Sequence, residues 1–194
     1  MAKTKINRTL TTEEIERELK RVKYNDRSRN TLKNTIYVLL VVAAIAVLVA
    51  TLFLPVLQIY GSSMTPTLHD GQLIVSVKEK EFEAGDIIAF YYNNKILVKR
   101  VIGSTGDWID IDKEGNVKVN GKLLDEPYVE DKALGECNIS LPYQVPEGKI
   151  FVMGDHRSVS IDSRHSSVGC VAQDQIVGKL VMRVWPLNEF TILE

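Results

Sequence analysis

The hydrophobic and polar positions of this chain fall into two regimes that meet near residue 57. From Ile36 to Leu57 no residue is charged, and an apolar run of that length is enough for a helix through a hydrocarbon core of ~30 Å. Ahead of the run, Thr11-Thr12-Glu13-Glu14 reads as a Thr-x-x-Glu helix start, and Ile15, Leu19 and Val22 follow at i, i+4 and i+7. The spacing predicts a short amphipathic helix there. Beyond the run the pattern changes to brief β-branched and aromatic stretches at 72–77, 86–91, 96–102, 108–111, 117–119, 149–153 and 176–185. Turn signals separate them, among them Asn93-Asn94, Asn120-Gly121 and Pro146-Glu147-Gly148. A mostly β, coiled or sandwich-like domain follows, with no room for a doubly wound sheet.

Charge adds an orientation. Before the run there are ten Lys/Arg against five Asp/Glu, a net +5, so in a chain of net charge −1 the remainder carries −6. Lys20, Arg21, Lys23, Arg27, Arg29 and Lys33 crowd the near side of the segment, which by the positive-inside rule keeps the N-terminus cytoplasmic and everything after Leu57 outside. Such juxtamembrane basic segments meet anionic lipid headgroups, and no nucleic-acid partner is expected. A cleaved signal would have an apolar core of about 7–15 residues, whereas here a polar tail of 35 residues precedes the run, so a retained single-pass anchor is expected. The two cysteines, Cys137 and Cys170, both fall on the external side, where one disulfide is allowed. With no CxxC pair and three scattered histidines, neither a metal nor another cofactor is expected.

Candidate chemistry lies in three segments. Gly61-Ser62-Ser63-Met64-Thr65-Pro66-Thr67-Leu68 begins just after the membrane run, so a loop set by Gly and Pro holds Ser63 at the outer lipid surface. Lys99 stands inside Ile96-Leu97-Val98-Lys99-Arg100-Val101-Ile102, where strand alternation groups it with Leu97 and Val101. A free lysine titrates near 10.4 and becomes a base at neutral pH only when desolvation lowers that value by ~2–3 units, which apolar neighbours can do. The third segment, Met153 to Arg164, is dense in hydrogen-bonding groups. A hydroxyl there can orient a lysine amine, while Asp155, Arg157, Asp162 and Arg164 read as a structural ion-pair network that pins a loop. Serine, lysine and membrane together point to proteolysis at the bilayer.

These motifs, in order and spacing, resemble the bacterial type I signal peptidases, the membrane-anchored Ser/Lys endopeptidases of peptidase family S26. The likeness runs from about residue 35 to 188 and rests on Ser63-Met64-x-Pro66-Thr67-Leu68, Gly85-Asp86-Ile87-Ile88, Lys99-Arg100-Val101-Ile102-Gly103 with Gly106-Asp107, and Gly154-Asp155-x-Arg157 with Ser160-x-Asp162-Ser163-Arg164. The resemblance implies Ser63 as nucleophile, Lys99 as general base, Ser160 as the hydroxyl orienting the lysine, and Asp162 and Arg164 as residues that shape the site. Ile59, Met64, Leu68 and Val98 match positions that line the pockets for residues before the cut. Also implied are a signal-peptidase-like coiled β-sheet catalytic domain at 58–103 and 149–194, a variable β insertion lobe at 104–148, a transmembrane helix at 35–57 and a cytoplasmic tail at 1–34. The expected activity is removal of signal peptides from exported preproteins after Ala-x-Ala-like sites, by a monomer in the cell membrane near the secretion translocon. Three positions depart from the family pattern: Gly61 replaces a serine found in some relatives, Thr105 a proline, and His156 an asparagine. A self-cleaving repressor-type Ser/Lys protease would carry a DNA-binding domain where this chain has its membrane run. A non-enzymatic homologue assisting pilus or surface-protein assembly would have lost Ser63 or Lys99.

Overall fold

The computed structural model describes residues 12–53 and 55–193. The chain divides near Thr51 into a helical unit and a β unit. Among the described residues the first consists of one α-helix, α1 (Thr12–Phe53), which runs on just past that boundary. It runs without a break through the region where the sequence predicts a separate amphipathic helix, because no Pro or Gly lies between Thr12 and Phe53. Thr31 and Thr35 fit the helix by donating their hydroxyls to the carbonyls of Arg27 and Thr31, at 2.8 and 2.9 Å. The predicted Thr11 cap lies outside the described residues. The helix also ends four residues short of the apolar run: Pro55 follows, and proline neither donates a helical hydrogen bond nor tolerates helix just ahead of it. Val56 and Leu57, expected in the helix, are instead strand.

Among its described residues the β unit holds twelve strands: β1 (Val56–Gln58), β2 (Leu73–Val77), β3 (Ile87–Tyr92), β4 (Lys95–Gly103), β5 (Trp108–Ile111) and β6 (Val117–Val119). After these come β7 (Lys122–Leu123), β8 (Tyr143–Gln144), β9 (Lys149–Met153), β10 (Val171–Ala172), β11 (Ile176–Trp185) and β12 (Thr191–Ile192). The larger, antiparallel sheet has the order β1-β2-β11-β3-β4-β9-β10, with β12 added beside β11. Register shifts in β11 against both neighbours coil it. One falls at Gly178, where a Cβ would lie 2.6 Å from the Val77 carbonyl oxygen. A smaller sheet, β7-β6-β5-β8, is built wholly from the polar stretch between β4 and β9.

Three apolar clusters hold the unit together. Ile102, Ile109, Val117, Phe151 and Met153 weld the smaller sheet to the larger, and Cys170 joins them with its thiol free, as is that of Cys137. Phe82, Ile88, Phe90, Val101 and Val152 fill a second cluster. Ile59, Met64, Leu68, Ile74, Ile87 and Leu180 form the third, which lies under the Ser63 loop.

Candidate active site

The loop carrying Ser63 is closed at its base and pinned from below. Ile59 N–H donates to Gln72 O and Gly71 N–H to Ile59 O, both at 2.9 Å. Gly61, at φ +84°, turns the chain where a side chain would be strained, and its N–H donates to Asp70 Oδ1 at 2.7 Å. Met64 and Leu68 then plunge into the core, leaving Ser63 half-buried at the top of the loop.

Lys99 arrives from β4. Its Nζ lies 2.7 Å from Ser63 Oγ, in reach for proton exchange between residues 36 apart in sequence. Only 3% of Lys99 is exposed, and that burial is the chief reason its pKa falls from 10.5 to about 8. The nearby Arg164 charge lowers it further, while the Asp162 and Asp155 carboxylates oppose. Lys99 is thus substantially neutral in mildly alkaline water.

The turn after β9 completes the wall. Asp162 and Arg164 are fully buried and paired at two points, Nε to Oδ1 and Nη2 to Oδ2, each 2.8 Å, and Asp162 Oδ2 also accepts the Gly154 N–H at 2.9 Å. The other two residues of the expected network pair elsewhere: Asp155 takes Arg100, at 2.9 and 2.7 Å, and Arg157 takes Glu126. Asp155 Oδ2 also accepts the Thr67 hydroxyl, and His156 N–H donates to Ser63 O at 3.1 Å, so this turn grips the serine loop from behind. Arg100, Thr67 and Glu126 are not among the residues expected at the site from the sequence. An arginine inside an apolar strand was the available signal, since such a charge is rarely buried without a carboxylate.

Two of the expected site residues sit away from the contacts expected of them. Ser160, assigned to orient the lysine, is 2% exposed, and among the described residues its Oγ has no hydrogen-bond partner; it faces the Gly154 backbone instead. A side chain at Gly154 would collide with that hydroxyl and come within 2.5 Å of Ser63 O, so only glycine fits between them. Leu68, assigned to a pocket wall, is 0% exposed in the core. Ile59, Met64 and Val98 do line a cleft of about 730 Å³ that runs past Ser63 and Lys99 between β1 and the start of β4. Leu68→Ala is therefore expected to cost about 3 kcal/mol in urea unfolding while leaving cleft selectivity unchanged, and Val98→Ala to do the reverse.

The cleft is flanked by strand backbone that is unpaired among the described residues. β9 pairs with β4 only from Arg100 to Gly103, leaving Lys95–Lys99 open on that edge, and β1 is the last strand of its sheet. Such edges accept an extended peptide as an added strand.

A family model described as "Signal peptidase, peptidase S26" matches residues 32–185. The chain is 41% identical over 152 residues to signal peptidase IB of Staphylococcus aureus strain COL, covering 68% of this chain and 78% of that protein. It is 35% identical over 175 residues to signal peptidase I of Bacillus licheniformis, covering 83% and 92%. The crystal structure of a signal peptidase I from Enterococcus faecalis V583 superposes with a TM-score of 0.43 and 32% identity, over 52% of this chain and 97% of that one.

Proposed function

This chain belongs to the signal peptidase family, peptidase S26, and on that premise we propose that it removes signal peptides from exported preproteins through a Ser63/Lys99 dyad. It is a serine peptidase, a hydrolase of the signal peptidase I kind. The observation that carries the dyad is the 2.7 Å approach of the buried Lys99 amine to Ser63 Oγ.

Neutral Lys99 takes the Ser63 proton as Oγ attacks the carbonyl carbon of the scissile bond. The negative oxygen of the tetrahedral intermediate is met by the Ser63 N–H, which no acceptor occupies among the described residues. Gly61 has no hydroxyl to serve as a second donor. As the intermediate collapses, the C–N bond breaks, and the Lys99 ammonium returns its proton to the departing amine. Water then loses a proton to Lys99, attacks the acyl-enzyme and frees Ser63. The substrate lies extended along the open edges, with small residues before the cut against Ile59, Met64 and Val98, which favours Ala-x-Ala sites.

The uncharged part of α1 from Ile36 onward serves as a single membrane anchor, with the basic tail cytoplasmic and the catalytic unit outside. Partners under this reading are signal peptides, membrane lipid and, by proximity, the secretion translocon. The protein acts as a monomer.

The test is cleavage of a precursor with an Ala-x-Ala site by the full-length protein in detergent, with products identified by mass spectrometry. A cut after the second alanine is expected, and leucine in that position should slow it by about 100-fold. Absence of cutting by folded protein would overturn the reading in favour of a non-enzymatic role in surface-protein or pilus assembly. The pH profile carries a sign. Because the base must be neutral, kcat/KM should be half-maximal near pH 8, where Lys99 titrates, and fall about tenfold per unit below it.

A further inference from the structure

Within the smaller lobe, the segment 126–134 supplies a partner to each of three buried arginines around the catalytic turn. The Glu126 carboxylate takes Arg157 at two points, 2.5 and 3.3 Å, with both side chains fully buried. The Tyr128 ring lies 3.9 Å under the Arg100 guanidinium. Burial pushes its hydroxyl up to about 12, so the ring meets the arginine as a neutral phenol. The Leu134 carbonyl accepts Arg164 Nη1 at 2.6 Å.

Each arginine in turn holds part of the site. Arg100 fixes Asp155, which accepts the Thr67 hydroxyl from the serine loop, and Arg164 fixes Asp162. Arg157 is the most direct of the three: its Nε donates to Gly154 O at 3.1 Å, and the N–H of the same Gly154 donates to Asp162. Gly154 is the residue wedged between Ser160 and the Ser63 carbonyl, with no room for a Cβ. A shift of its backbone must therefore move the nucleophile or open the site behind it.

We propose that Glu126 is a positioning residue for catalysis: by clamping Arg157 it fixes the Gly154 backbone and so holds Ser63 at reacting distance from Lys99. The proposal rests on the Ser63/Lys99 reading. Nothing in the sequence around Glu126 announces it, since a carboxylate in a polar lobe has no partner until the lobe packs. A buried ion pair is a poor source of net stability but a directional one, and it fixes geometry that an apolar contact would leave free to slide.

The test compares full-length parent, Glu126→Gln, Glu126→Asp and the double variant Glu126→Leu/Arg157→Leu in detergent, with rates expressed per folded molecule. Glu126→Gln should lower kcat by roughly 10- to 100-fold with KM unchanged, the range that displacement of a reacting group by about 1 Å produces. Glu126→Asp, which keeps the charge, should recover part of the loss. The double variant should regain thermal stability yet stay slow, because Gly154 O has lost its donor. A purely structural role predicts full kcat in the double variant, and that result, or parental kcat in folded Glu126→Gln, overturns the proposal.

A second readout needs no activity. Labelling of the Lys99 amine by an amine-reactive reagent across pH, read by peptide mass spectrometry, should show titration near 8 in the parent. In Glu126→Gln it should move upward as water enters. If the parent fails to cleave, the peptidase reading falls, and the labelling still decides whether Glu126 holds the site: an unmoved titration overturns it.

Discussion

Lys99→Arg is expected to abolish cleavage, by about 10⁴-fold or more, in a protein that still inserts and binds substrate. The charge is kept, but a guanidinium does not deprotonate at any working pH and so cannot accept the Ser63 proton. Ser63→Ala should be equally inactive for the complementary reason, having no nucleophile. Lys99→Met separates function from stability. In the folded protein this lysine titrates near 8 against 10.5 when free, so between those values the unfolded chain binds a proton that the folded one does not. Stability therefore rises with pH across that window, and below pH 8 the full penalty, about 3 kcal/mol, is present. Removing the amine should make Lys99→Met inactive yet more stable at pH 7 by about 2 kcal/mol, with the advantage shrinking toward pH 10.5. Urea unfolding at the two pH values checks this. An advantage of the same size at both would mean that the lysine's burial is not the cause.

Asp162→Ala should have the largest effect on folding. The substitution strips Arg164 of both its carboxylate bonds and the Gly154 N–H of its acceptor, leaving a guanidinium fully buried without a counter-charge. Breaking such a pair from one side costs about 3–5 kcal/mol, a large share of the roughly 5–15 kcal/mol that holds a domain together. Cleavage should be lost as well, because the Gly154 turn supports the serine loop. Asp162→Asn keeps the shape and one acceptor, and should fall between parent and alanine in both unfolding midpoint and rate. If Asp162→Ala melts like the parent, the pair is not the anchor that its burial indicates.

How much of this was legible in advance depends on whether a feature is local. The longer strands were visible because β-branched residues recur between strong turns. β7, β8, β10 and β12 are two residues long and hold no period to read, whereas three-residue β6 was marked by its Val-Lys-Val alternation beside Asn120-Gly121. Val56 and Leu57 misled for a different reason: hydrophobicity alone does not distinguish membrane helix from edge strand, and Pro55 was the better guide. Ser63, Lys99 and the 153–164 turn stood out through motif spacing. Glu126 and Tyr128 did not, since a carboxylate or phenol in a polar stretch is indistinguishable from a solvated one.

The sequence by itself determined what short-range chemistry governs: an uncharged run long enough to cross a bilayer, turns at Gly and Pro, strand alternation around Lys99, and a basic flank ahead of the run. Tertiary structure alone decided the 2.7 Å meeting of Lys99 and Ser63, the exchange of ion-pair partners to Arg100–Asp155 and Arg157–Glu126, and the burial of Leu68 away from the cleft. The physical reason is desolvation. A lysine becomes a base, and an arginine needs a particular carboxylate, only when water has been excluded, and that exclusion comes from packing residues far apart in the chain.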